Sequence, residues 1–157
     1  MGDSNRNTKF ATFIARNFPK AKTALVVADG HGELARSLAN KKIAVTVVEA
    51  KPRFVGRIHP LITYKQGWFT EDSEVEADII VGMHPDEATS EIILAARKNK
   101  KPFAIVPCCC VGKGSSGLSR NNFAAWVKRL NDMACGCYTA MLKISGKNLI
   151  LYKKRWS

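Results

Sequence analysis

The sequence predicts an α/β fold: a doubly wound, mostly parallel seven-stranded sheet with helices on both faces and an antiparallel C-terminal hairpin strand. Three observations carry that expectation. Short apolar, β-branched runs alternate with helical patterns, a glycine-containing turn joins the first run to the helix after it, and two closely spaced strands end the sequence. With 157 residues, 46% of them hydrophobic and 24% charged, the chain reads as one domain over 1–157. Disordered and fibrous architectures do not suit that composition.

Taken in order, Phe10, Phe13, Ile14 and Phe18 fall near helical spacing and Pro19 closes the segment, predicting a helix over 7–18. Residues 23–28 (TALVVA) form the first strand. They lead into Asp29-Gly30-His31-Gly32 and a helix over 33–40. A second strand, 43–48, ends at Glu49, with Pro52 soon after, and a third covers 61–64. A polar, acidic stretch over 66–77 precedes a fourth strand, 78–83. A helix over 85–99 opens on Pro85 and an acidic first turn, and 103–106 is the fifth strand. Strands buried on both faces read this apolar. The loop 112–117 (GKGSSG) then leads to a helix from Ser119 that carries Phe123, Trp126, Val127 and Leu130 on one face. Strands over 138–144 and 148–152 flank Ser145-Gly146-Lys147 as a tight hairpin.

Charge is distributed unevenly. The net charge is +12, yet residues 1–91 hold twelve basic and twelve acidic side chains and are neutral. The whole excess lies in residues 92–157, where Asp132 is the only acid, which calls for an anionic partner or a solvated basic face. No apolar run approaches the ~18 residues of a membrane span, so no membrane partner is expected. Five cysteines, three of them consecutive at 108–110, make no disulfide framework and suit a reducing compartment. Cytoplasm or nucleus is expected, with a mitochondrial setting left open because Asp3 is the only acid before residue 28.

Gly30, Gly32 and Ala35 fit the G-x-G-x-x-G/A turn, and Glu49 lies 17 residues beyond Gly32, where a ribose-binding acid belongs. Asp29 and Glu33 flank the glycines. Acids there repel the pyrophosphate of a dinucleotide but suit the cationic sulfonium and ammonium of S-adenosylmethionine. An NAD-binding oxidoreductase fragment is the disfavoured reading.

At these residues the sequence resembles the class I S-adenosylmethionine-dependent methyltransferases over nearly its whole length. Gly30-His31-Gly32-Glu33-Leu34 matches their glycine turn, Glu49 the ribose acid, Asp78 the opening of the fourth strand, and the closing hairpin their antiparallel strand. Residues 82–89 and 101–109 also resemble a eukaryotic methyltransferase-like group. The resemblance implies S-adenosylmethionine as cofactor, held by Asp29, Gly30, His31, Gly32 and Glu49. Gln66 and Trp68 would lie beside the adenine, and Met83 would also bind the cofactor. Two positions depart from the pattern: Val26 stands where the family has an acid, and Ala28 where its first glycine falls.

Loops after the fourth and fifth strands should face the methyl donor. His84 or Asp86 would accept a proton from the methyl acceptor, although acids in a helix's first turn are favoured without any catalytic role. Cys108, in Pro107-Cys108-Cys109-Cys110, sits where RNA 5-methylcytosine enzymes place a nucleophile, but the second Pro-Cys of those enzymes is missing. Cys135-Gly136-Cys137 and the triplet match no zinc spacing, so no metal is expected. Lys113, Arg120, Lys128, Arg129, Lys153, Lys154 and Arg155 form the candidate nucleic-acid surface, with Tyr152 or Trp156 to stack on bases. The expected function is methyl transfer to RNA. The alternative is a catalytically silent module that binds RNA or a ribonucleoprotein.

Overall fold

The computed structural model describes residues 5–51, 59–119 and 121–157; Pro52 and Arg120 lie outside the described residues. Seven strands make one sheet: β1 (Thr23–Val27), β2 (Ala44–Glu49), β3 (Ile62–Gln66), β4 (Ile79–Met83), β5 (Phe103–Val106), β6 (Tyr138–Met141) and β7 (Leu149–Lys153). Their order is β3-β2-β1-β4-β5-β7-β6. The first five pair in parallel, and β7 runs antiparallel between β5 and β6. Four helices accompany them among the described residues: α1 (Arg6–Asn17), α2 (Glu33–Ala39), α3 (Thr89–Asn99) and α4 (Phe123–Met133).

Alternation along the strands divides the core into two layers. Ala24 and Val26 of β1 join Ile79 and Val81 of β4 under α1 and α2, which contribute Phe10, Ile14, Leu34 and Leu38. Leu25 and Val27 face the other way with Ile80, Phe103 and Ile105, under Ile92 and Ile93 of α3 and Trp126 and Leu130 of α4. The central strands β1, β4 and β5 are buried almost throughout. The edge strands β3 and β6 are largely exposed, which is why neither reads strongly in the sequence.

Four boundaries differ from expectation by two residues or more. β3 continues to Gln66, so that residue ends a strand instead of sitting in a loop. The helix expected over 85–99 opens as a short 3-10 turn, Asp86–Ala88, because His84 and Asp86 hold left-handed φ angles of +50° and +51° that no α-helix accommodates. The fourth helix begins at Phe123, not Ser119: the Asn122 side chain accepts from the Ala125 N–H at 3.3 Å and caps it. The closing hairpin is wider, since β6 stops at Met141.

Asp78 lies at the amino edge of the sheet. Its Oδ2 accepts from the backbone N–H groups of Lys22 (2.8 Å) and Thr23 (3.1 Å), tying the starts of β4 and β1 together.

Candidate functional site

β1 and β4 are sequence-distant neighbours, and the connections from β1 and β4 leave the sheet in opposite directions at this point. The crevice beyond the carboxyl ends of such strands is where open α/β sheets bind ligands. A cleft of about 870 Å³ occupies it, bounded by the residues that follow β1, β2, β4 and β5. Asp29, Gly30, His31, Glu49, Trp68, Met83, His84, Asp86 and Cys108 all reach it, so the topology assembles most of the residues picked out in sequence. Gly32 and Gln66 do not line it.

The glycine turn is built around two carboxylates. Glu49 Oε2 accepts the Gly30 N–H at 3.0 Å, holding the turn against the end of β2. Asp29 accepts from the N–H groups of Leu34 (3.1 Å) and Ala35 (2.9 Å), so it closes the first turn of α2 as well as facing the cleft. Burial pushes the Asp29 carboxyl up from 3.8 to about 6, against the pull of those two amides. Ala28, at the first-glycine position, takes a φ of +57°, the left-handed conformation a glycine would supply there.

On the far wall, His84 is half-buried, and burial pushes its imidazole below 6.5. Its Nε2 lies 3.3 Å from the Lys147 carbonyl. A carbonyl only accepts, so Nε2 carries the proton and Nδ1 keeps the lone pair. Cys108 Sγ donates to Asp86 Oδ1 at 3.1 Å. Burial, then the contacts with Asp86 and Cys109, push that thiol well above its ordinary value. An uncharged thiol beside a carboxylate is the reverse of an activated nucleophile, so the structure gives the covalent role of Cys108 no support.

The cleft is rich in carboxylates: Asp29, Glu33, Glu49, Asp86, Glu87 and Glu91 line it, against Arg6 and Lys51 as the cationic side chains. Arg6 and Asn7 come from α1 and were not singled out in the sequence. Asn7 donates to Glu33 Oε2 at 2.9 Å. Its signal was legible, since Asn7 shares the buried helix face of Phe10, Ala11 and Ile14. Trp68 stands 73% exposed at the rim, leaving its ring face available.

The basic residues separate into two groups. β7 is antiparallel to β5 and pairs Lys153 with Phe103, the first residue of β5, so Lys153, Lys154 and Arg155 lie at the sheet edge opposite the cleft. Lys153 Nζ donates to the carbonyls of Ala134 (2.6 Å) and Gly136 (2.7 Å) and sits 4.4 Å from the Trp156 ring. Trp156 donates to the Lys101 carbonyl and packs against Phe103, and Tyr152 packs edge-on to Phe13 and Phe18. Both rings are half-buried and already in contact with other side chains. Arg129 holds the carbonyls of Gly114 and Ser116, and Lys128 pairs with Asp132 one turn away. Lys113 pairs with Glu71 near the cleft. Sequence reasoning missed Lys143 and Lys147, which the hairpin carries to the carboxyl edge, Lys147 beside His84; their signal is the antiparallel return of the last strand.

A scan against protein-family models gave no match, and a search of curated protein sequences gave none. Solved structures are similar in fold. The O-methyltransferase TomG from Streptomyces achromogenes, in complex with S-adenosylmethionine, is 13% identical with a TM-score of 0.65, covering 99% of this chain and 82% of TomG. Human N-acetylserotonin methyltransferase, also in complex with S-adenosylmethionine, is 14% identical with a TM-score of 0.61, covering 98% and 52%. Fibrillarin in its complex with Nop5p is 12% identical with a TM-score of 0.58, covering 95% and 83%. The chain spans about half the length of N-acetylserotonin methyltransferase and of the mitomycin 7-O-methyltransferase MmcR. Its fold is that of the class I methyltransferases.

Proposed function

We propose that the chain binds S-adenosylmethionine in the cleft and transfers its methyl group, with RNA as the acceptor. The carrying observation is the set of six carboxylates around a glycine turn at the switch point of this fold. Such a lining attracts a ligand whose charged groups are a sulfonium and an ammonium, and repels a dinucleotide pyrophosphate. The volume of about 870 Å³ falls within the range of small-molecule sites.

When bound, the cofactor supplies an electrophilic methyl group on its sulfonium. Glu49 would accept from the ribose hydroxyls while keeping its hold on Gly30, and the exposed ring of Trp68 would stack on the adenine. His84 is held uncharged near neutrality by burial, with Nδ1 as its proton-accepting atom, and would take the proton of a hydroxyl or amine acceptor. The RNA reading rests on the exposed Lys143 and Lys147, which the hairpin brings to this edge, together with the charge asymmetry of the sequence.

Calorimetry of the full chain tests the cofactor reading. S-adenosylmethionine should bind in the micromolar range, NADH should not, and Glu49→Ala should weaken binding at least about tenfold, the worth of one charge-assisted hydrogen bond. Absence of S-adenosylmethionine binding at millimolar concentration overturns it. The catalytically silent alternative would bind the cofactor or RNA yet give no methylated product on extended incubation.

A further inference from the structure

We propose a thiophilic divalent metal site, of the zinc class, at the mouth of the cleft, formed by Asp86, Cys108 and Cys109. One donor atom from each residue lies within 4.8 Å of the others, and Cys108 Sγ and Asp86 Oδ1 are already 3.1 Å apart. Around a tetrahedral zinc with Zn–S of about 2.3 Å and Zn–O of about 2.0–2.2 Å, ligand atoms sit ~3.5–3.8 Å from one another. Closing from the one spacing to the other is a matter of side-chain rotation.

The convergence is built by the fold. β4 and β5 pair in parallel with Met83 opposite Val106, so the chain leaves both strands side by side and places Asp86 and Cys108 in adjacent loops. In an extended chain, neighbouring side chains point to opposite faces, and two consecutive cysteines could not share a ligand. Here the chain bends at Cys109 and Cys110, and both the Cys108 and Cys109 sulfurs come near Asp86. The two loops are also locked together: a Cβ on Gly112 would lie 2.7 Å from the Glu87 carbonyl oxygen. Backbone meets backbone there, next to the three donors.

Two sulfurs and one carboxylate oxygen suit zinc or cobalt(II), not magnesium or calcium, which prefer all-oxygen sets. Asp86 and Cys109 are exposed, so an ion has access. Three protein ligands leave a fourth position open beside the cleft that Asp86 and Cys108 line, the pattern of a zinc that takes a water or an acceptor hydroxyl or thiol rather than of a closed structural site. Sequence spacing alone hides the site, because 22 residues separate Asp86 from Cys108 and no C-x-x-C pair marks it.

Cobalt(II) titration of the reduced, chelator-stripped full chain tests the proposal without any methyl donor, so its outcome is separate from that of the methyl-transfer reading. A stoichiometric thiolate-to-cobalt charge-transfer band, displaced by zinc, is the expected result. Cys109→Ser and Asp86→Asn, both at exposed positions, should weaken binding at least about tenfold. Cys135→Ser and Cys137→Ser should leave it unchanged, and circular dichroism should report an intact fold in each variant. Absence of the band at millimolar cobalt, or a band insensitive to Cys109→Ser, overturns the site.

Discussion

Ala28 occupies a left-handed φ of +57° directly after β1, where its Cβ costs about 1–2 kcal/mol relative to a right-handed conformation. Glycine removes that cost but loosens the unfolded chain by about 0.4–1 kcal/mol. Ala28→Gly should therefore stabilise the protein by about 0.5–1 kcal/mol, seen as a Tm higher by about 2–3 °C. Asp29, its neighbour, links stability to pH. The folded state raises its pKa from 3.8 to about 6, so it holds the Asp29 proton more tightly than the unfolded chain does. The stabilisation from this group is complete below pH 3.8 and is lost as pH rises through about 6, a change of about 2–3 kcal/mol. Urea melts across that window should show the decline in the native chain, and Asp29→Asn should flatten it.

At the scale of elements, α4 and the last strand depend on each other. Just past the end of α4, Lys153 of β7 donates to the carbonyls of Ala134 and Gly136 while its ammonium lies 4.4 Å from the Trp156 ring. Charge-assisted bonds to two partly solvated carbonyls that follow a helix are worth about 1–2 kcal/mol together. Lys153→Met, which keeps the stem, should lose that much in a urea melt, whereas Lys154→Met and Arg155→Met should stay within about 0.5 kcal/mol. In sequence all three looked alike, as one basic run. The central strands were legible because burial on both faces leaves no room for polar residues in β1, β4 and β5. β3 was read two residues short because Lys65 and Gln66 are exposed at an edge, where only backbone pairing with Val48 and Glu49 marks them as strand. The cleft was legible through its local motif, Asp29 to Gly32 with Glu49. The proximity of Asp86 and Cys108 was not, since it exists only once β4 and β5 pair.

For the whole molecule, the question posed by a +12 chain with a neutral first half is whether its two halves meet at one site. They meet in part. The acids of the first half converge on the cleft, and the hairpin delivers Lys143 and Lys147 to the same edge of the sheet. Lys153, Lys154 and Arg155 lie at the opposite edge, with Lys153 engaged by the carbonyls that follow α4. An RNA acceptor lying across the cleft should therefore depend on the hairpin and not on the C-terminal run. The double substitution Lys143→Glu and Lys147→Glu should weaken binding of a single-stranded RNA and reduce the slope of log affinity against log salt by about 0.7 for each phosphate no longer neutralised. Lys154→Glu with Arg155→Glu should leave both quantities near those of the native chain. Fluorescence anisotropy at several salt concentrations separates the two outcomes. The reverse pattern would place RNA on the far edge, away from the methyl donor, and would favour a binding module over a methyltransferase.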